Sequence, residues 1–290
     1  MDKIKLYSFY EQIGDIYVNS FLLPSCNDDR FYGLYTFLKN YAYERQGGNA
    51  VYPYVASELI KKWCEGNSTE QCVTEEFKTE LEEYKKYKDS NDSNDVESTE
   101  FKGLNEKRNP LYDGSEKSKS IMEFMNKNGK RPLKEILGID KEDGVWDVKV
   151  AYDKIKEING IGNKIASFYL RDLKEFHILN GKKIKIVEGD RWLLQPIDIW
   201  VRRIVKGHVE KDISNDQEIA KGIVDSSLKN ELNPERVNMG MWFFGSNIIG
   251  NRYKLYTLYK QQEYEEFRKC VEEYSKKLST QLKSIANLTL

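Results

Sequence analysis

Two residues in this chain carry the means for nucleophilic chemistry at an electrophilic carbon: Lys164 and, 34 positions later, Asp198. Lys164 falls two residues after Gly162, in the first turn of an expected helix. Helix N-termini disfavour cations, so a lysine here is a poor choice for stability. The same field, with partial desolvation, favours the neutral amine, which is the form that nucleophilic catalysis needs. An ammonium extended to a phosphate or to solvent is the other reading. Asp198 lies in Gln195-Pro196-Ile197-Asp198-Ile199-Trp200. That is an N-cap position, where a carboxylate accepts bonds from the free N–H groups of the next helix. A carboxylate held this way is rigid and ionised, and suited to stabilising a nearby cation. Capping alone would also explain it.

The element that must position Lys164 is 158–174, a tight Gly-rich turn entering a helix. Ile165, Tyr169 and Leu173 (or Phe168) recur at helical spacing after the turn. Tyr152, Ile155 and Ile158 form an apolar stripe before it. The expectation is helix, short hairpin, helix. Gly160 and Gly162 remove β-carbons where the backbone bends or approaches something closely. First-turn N–H groups without intrahelical partners, together with the helix dipole, make such a turn an anion-binding mouth. Ile-x-Gly-Ile-Gly is not the dinucleotide fingerprint, which needs a preceding strand and a third glycine. A plain αα-hairpin with a glycine turn has the same local pattern.

The rest of the chain reads as mostly helical. Residues 5–23 supply a strand or the first core helix, and 31–45 and 51–64 read as helices, with Pro53 in a first turn. Residues 70–88 form a charged helix, and 89–100 (DSNDSNDVESTE) a polar loop. Residues 115–127 carry Ile121, Phe124 and Met125 at helical recurrence. A short element follows Arg131-Pro132-Leu133 and stops near Gly138. Within 176–197, Ile178, Asn180-Gly181, Ile184 and Ile186 suggest a β-hairpin with an Asn-Gly turn. Helices are expected at 199–208, 215–229, 235–249 after Asn233-Pro234, and 256–284.

Composition excludes several function classes. The 290 residues can bury a sizeable core. No stretch nears the 18 consecutive apolar residues of a membrane span, and MDKIKLYSFY is not followed by a signal-peptide apolar region. An intracellular location, cytoplasm or nucleoid, is expected. Cys26, Cys64, Cys72 and Cys270 are scattered, and only His177 and His208 exist, so zinc ligation and a Ser-His-Asp triad lack support. Net charge is −1. Its distribution is uneven: 13 acidic and 6 basic residues in 58–100, against 7 acidic and 12 basic in 153–206. The hairpin thus sits in the basic segment, as a nucleic-acid face requires.

Gly-Ile-Gly-Asn-Lys-Ile-Ala followed by Pro-Ile-Asp-Ile-Trp-Val-Arg-Arg resembles the helix-hairpin-helix DNA glycosylases with a Gly/Pro-rich loop and an aspartate. The chain is most similar to their archaeal-type 8-oxoguanine glycosylase/lyase branch. The resemblance is strongest over 155–173, 192–204 and 238–250. It implies a mostly α, helix-hairpin-helix glycosylase fold with two helical subdomains: 30–152 with part of the C-terminus, and 153–250 with the hairpin and catalytic region. It implies excision of oxidised guanine and strand cleavage in base excision repair, with Lys164 attacking the sugar and Asp198 stabilising its cation. Phe168 and Trp242 would sandwich the flipped base, and Asn238 and Gln46 would contact its edge. Relatives carry an acidic residue near Asn238, which leaves the exact base open. Gly160, Gly162, Asn163, Arg202 and Arg203 would meet phosphate, one arginine binding it while the other closes a salt bridge. Arg171 and Lys182-Lys183-Lys185 are weaker phosphate candidates. No cofactor is implied beyond a monovalent or divalent cation on the hairpin backbone near Ile158 and Gly160. The implied partner is damaged double-stranded DNA, with single-stranded DNA open, acted on by a monomer away from membranes. A glycosylase for another damaged base and a non-catalytic helix-hairpin-helix DNA-binding protein are the alternatives.

Overall fold

The computed structural model describes residues 3–22, 37–42, 119–129, 133–139, 144–187, 189–208, 215–261 and 264–288. In chain order the described elements are α1 (Lys3–Tyr17) with a π-helical turn at Val18–Leu22, a second π-helical turn at Phe37–Ala42, α2 (Ile121–Lys127), α3 (Leu133–Ile136), β1 (Val145–Trp146), α4 (Val148–Ile155), α5 (Asn163–Leu179) and β2 (Lys185–Ile186). Then come a 3-10 turn at Arg191–Leu194, α6 (Ile199–His208), α7 (Asp216–Lys229), α8 (Pro234–Phe243) with a π-helical turn at Phe244–Ile249, α9 (Arg252–Gln261) and α10 (Tyr264–Leu288). The fold is mostly helical, with one small two-stranded sheet among the described residues. The expected helices at 51–64 and 70–88, the loop at 89–100 and Gln46 lie outside the described residues. No described helix is long and apolar enough to cross a membrane.

The chain divides into two compact units, one of Met1–Pro24 with Gln195–Leu290 and one of Ser25–Leu194. These bounds differ from the expected 30–152 with part of the C-terminus, and 153–250. The hairpin belongs with the preceding residues, because its helices bury their apolar stripes against Phe37, Tyr41, Ile121, Phe124, Leu133 and Trp146. The first unit begins with α1, so 5–23, where it is described, supplies helix and no strand.

The unit containing the hairpin is built around α4 and α5. Tyr152, Ile155 and Ile158 are buried before the turn, and Ala166, Tyr169, Leu170 and Leu173 after it. Both stripes read from the sequence therefore face one core. Asp147 caps α4 by accepting from Val150 N at 2.9 Å.

The expected β-hairpin around Asn180-Gly181 is a helix end instead. Helix α5 runs to Leu179, and Gly181 has φ +74°. Lys182 N donates to His177 O (3.2 Å) and Gly181 N to Ile178 O (2.9 Å), the paired bonds of a Schellman cap. An Asn-Gly pair serves a helix C-terminus as well as a hairpin turn, since both need a left-handed residue. The strand that follows, β2, pairs in parallel with β1, Lys185 opposite Val145 and Ile186 opposite Trp146. Its partner comes from upstream of α4 and not from the segment before the turn.

The other unit packs α1 along α8. The two helices touch backbone to backbone. A β-carbon on Gly240 would stand 1.7 Å from Tyr10 O, and one on Gly14 would stand 2.0 Å from Arg236 O. Below the crossing, Phe9, Phe244 and Phe267 form an aromatic cluster, with Phe244 and Phe267 stacked at 5.5 Å between centroids. The expected single helix at 256–284 is two, α9 and α10.

Gly240→Ala should destabilise this unit by about 3 kcal/mol or more, because rigid backbone cannot yield to a methyl group. Gly222, which has open space around it, should accept alanine with no loss. Urea unfolding of both variants checks the contrast.

Candidate functional site

The turn between α4 and α5 is closed by Ile161 N donating to Ile158 O at 3.1 Å, with Gly160 at φ +75°. That bond, with a left-handed third residue, is the pattern of a type II turn, so glycine at 160 is demanded by conformation. A short bridge steadies the entry: Lys119 N donates to Glu157 O, and Asn159 N to Lys119 O, both at 2.8 Å. Ile158 O already accepts one bond, so its second lone pair is what a hairpin cation would use.

Gly162 differs in kind from Gly160. Its backbone (φ −91°, ψ 179°) suits any residue, and a β-carbon there would meet nothing within 4 Å. Neither strain nor packing requires glycine. It occupies the N-cap of α5 and supplies no side-chain cap. Serine or aspartate in its place would cover first-turn N–H groups. Glycine leaves the mouth of the helix open to an external acceptor. Asn163 and Lys164 stand exposed at that mouth. The desolvation expected around the Lys164 amine is therefore not supplied by its own surroundings.

Behind the mouth the helices are tied by side chains. Burial pushes the Tyr152 hydroxyl of α4 up to about 12, and its hydrogen bond with Ser167 of α5 pulls the other way. Phe168, one turn after Lys164, is half-buried against the core. The Arg171 guanidinium lies 4.4 Å from its ring centroid, and the Tyr41 ring 5.4 Å away. Arg171 is fully buried and bonds Asp172 at 2.9 Å, so it is not on a phosphate-facing surface. Tyr41 donates to Asp172 Oδ2 at 2.7 Å. Burial raises the Asp172 carboxyl above the usual carboxylate range, against the pull of Arg171 and Tyr41. The sequence signal for this network was available: Arg171 and Asp172 sit between Tyr169 and Leu173, two residues of the buried stripe. Lys182, Lys183 and Lys185 are exposed beyond the helix end.

In the other unit, Asp198 caps α6. Its Oδ1 accepts from Trp200 N and Val201 N, both at 2.9 Å, and the residue is 8% exposed. The loop before it is held from α8. Asn238 Nδ2 donates to Pro196 O at 3.2 Å, and Gln195 Nε2 to Glu235 Oε1 at 3.4 Å. Asn238 and Glu235 are fully buried. Asn238, expected at a base edge, thus commits its amide to the Asp198 loop, a role the sequence reading missed. Gly245 meets the Trp200 side chain, where a β-carbon would stand 2.8 Å from Trp200 Cβ. Trp242 is half-buried, edge-on to Tyr17 at 5.6 Å. Arg202 closes the salt bridge, binding both oxygens of Asp216 (2.7 and 2.8 Å from Nη2). Arg203 is half-buried.

No protein-family model, curated protein or solved structure matches this chain. What its surfaces do is decided by their own chemistry. Among the described residues, no group of three or more His, Cys, Asp or Glu side chains is placed to hold a metal ion.

Two outcomes follow from this geometry. The Tyr152 hydroxyl ionises near 10 in the unfolded chain and keeps its proton to about 12 in the fold. Its contribution to stability is full below pH 10 and falls as pH rises through that window. Tyr152→Phe should flatten the loss between pH 10 and 12, read by urea titration. At the other cap, Asp198→Ala should cost about 1–2 kcal/mol, while Asp198→Asn, an equally good cap, should stay within about 0.5 kcal/mol of wild type. The same titration separates capping from charge.

Proposed function

We propose that this protein is a bifunctional DNA glycosylase and AP lyase that excises oxidised guanine and cuts the strand through a Schiff base. One observation carries the reading: α5 begins without a side-chain cap, at a glycine that neither packing nor conformation requires, with Lys164 exposed in its first turn. Such a mouth receives a backbone phosphate on its N–H groups and brings an amine beside the sugar. The buried, doubly bonded Asp198 supports the second part, a fixed negative charge.

In this reading the damaged nucleotide leaves the stack. The Lys164 nitrogen forms a bond to sugar C1′ as the bond to the base breaks, and the base departs with that electron pair and takes a proton. Opening of the sugar ring gives the iminium. Loss of a C2′ proton then breaks the C3′–O bond and expels the 3′ phosphate, and water releases Lys164. Asp198 stabilises the positive charge on the sugar and helps take the amine proton. The reading requires both groups to reach one sugar. Phe168 and Trp242 supply stacking faces for the base. Because Asn238 is buried and bonded to Pro196 O, another damaged base is the second reading.

The test is a panel of duplexes bearing one 8-oxoguanine, uracil, abasic or undamaged site. Cleavage at 8-oxoguanine and abasic sites is expected, with a borohydride-trapped protein–DNA adduct. Lys164→Ala should lose the adduct, and Asp198→Asn should slow single-turnover excision by roughly 10²–10³ while remaining folded. Full strand cleavage by Lys164→Ala, or binding without cleavage of any duplex, would sink the proposal; the latter result would indicate a DNA-binding module.

A further inference from the structure

Helix α9 presents a surface that the hairpin chemistry does not use. Its ten residues, Arg252–Gln261, contain three cations, three tyrosines and no acidic residue. Leu255 and Leu258 are buried. They fix which side of the helix faces inward. Tyr253 is 79% exposed and Tyr256 is 56% exposed, the two most exposed large apolar side chains among the described residues. Arg252 is also exposed and precedes Tyr256 by one turn, so the two share a flank. Lys254 takes the other flank, where its Nζ lies 3.8 Å from Glu273 of α10. The acidic residues of α10 face cations of their own helix as well: Glu265 and Glu272 are near Arg268, and Glu266 is near Lys269. The outer face of α9 is therefore aromatic and cationic. It is also rigid at its start, since Gly250 turns the chain at φ +61° and Asn251 Oδ1 accepts from Tyr253 N and Lys254 N at 2.8 and 3.1 Å.

Burying a tyrosine costs little in polar pairing, because its hydroxyl needs only one partner. Leaving two of them so exposed, spaced three residues apart and beside an arginine, forgoes that burial. Aromatic faces interleaved with cations match one kind of partner well, a nucleic-acid strand with unpaired bases. Each base offers a flat face to stack and each phosphate a negative charge.

We propose that the outer face of α9 is an accessory site for single-stranded nucleic acid, with bases stacked on Tyr253 and Tyr256 and the backbone phosphate on Arg252. The site is independent of Lys164 and does not rest on the glycosylase reading. Stacking tolerates any base, so the site binds without sequence preference.

The decisive experiment is photocrosslinking of the full-length protein to an undamaged oligothymidylate carrying 5-iodouracil, with the crosslinked peptide mapped by mass spectrometry. Crosslinks at Tyr253 or Tyr256 are expected. Anisotropy titrations run alongside. A Tyr253→Ala/Tyr256→Ala variant should weaken binding by about tenfold or more. Tyr253→Phe/Tyr256→Phe should bind within about twofold of wild type, because stacking needs the ring and not the hydroxyl. Arg252→Gln should lower the salt dependence of binding. Crosslinks confined to 158–173, wild-type affinity in the double alanine variant, or equal affinity for a base-free oligomer of the same length would each overturn the proposal. Loss of self-association in the alanine variant, with oligonucleotide binding unchanged, would assign the face to a second copy of the chain. Lys164→Ala should leave the crosslinks in place, so this site and the lyase chemistry fail or stand separately.

Discussion

Helices α1 and α8 cross with their backbones in contact, and much of the first unit follows from that closeness. Side chains normally keep helix axes 8–10 Å apart. Here Gly14 and Gly240 remove the spacer on both sides, and Tyr10 O and Arg236 O fill the places that β-carbons would take. The approach fixes α8 against α1 with little freedom to slide. Asn238 and Glu235 project from α8 onto the loop that ends at Asp198. The position of that carboxylate is therefore inherited from a crossing made of residues without side chains. Gly245 repeats the device at the other end, where it admits the Trp200 ring and seats α6.

Six of the described glycines do three different kinds of work. Gly160 and Gly181 supply left-handed backbone, one in the turn before α5 and one in its C-cap. Gly14, Gly240 and Gly245 supply room for a neighbour. Gly162 does neither. Its absent side chain leaves donors at a helix start uncovered. Only the third kind is at odds with stability, and mildly: a side-chain cap would stabilise α5 over glycine by a few tenths of a kcal/mol. A locally unfavourable choice beside an exposed lysine is the kind of exception that functional surfaces make.

Buried charge marks the hairpin unit in a parallel way. Arg171, Asp172, Lys174 and Glu175 form a run of buried ionisable residues on α5. Taking such groups out of water is costly unless each meets a partner. Their partners include one another and Tyr41: Arg171 with Asp172, Lys174 with Glu175 at 3.1 Å, and Tyr41 with Asp172. The network ties the Phe37–Ala42 turn to α5 across a long stretch of sequence. It also places a guanidinium against the ring of Phe168, 4.4 Å from its centroid.

Local sequence pattern alone determined the apolar stripes of α4 and α5, the cap at Asp198, the start of α8 at Asn233-Pro234 and the mostly helical class. Each of these is local, decided within one or two helical turns by side-chain spacing and by the N–H groups a helix end leaves bare. The sequence could not decide what Asn180-Gly181 does, because a left-handed residue closes a hairpin and a helix equally well and the choice lies with the strand partner. β2 found its partner upstream of α4, by a crossover that no local pattern records. The identity of the Asp198 anchor was also out of reach, since Asn238 lies 40 residues away and its amide is spoken for only once α8 is pinned at Gly240. Tertiary packing likewise sorted the glycines and the arginines, turning Arg171 inward and pairing Arg202 with Asp216. The helix ends that carry Lys164 and Asp198 were readable because they depend on residue types close in sequence. The support around them was not, because it depends on which surfaces meet.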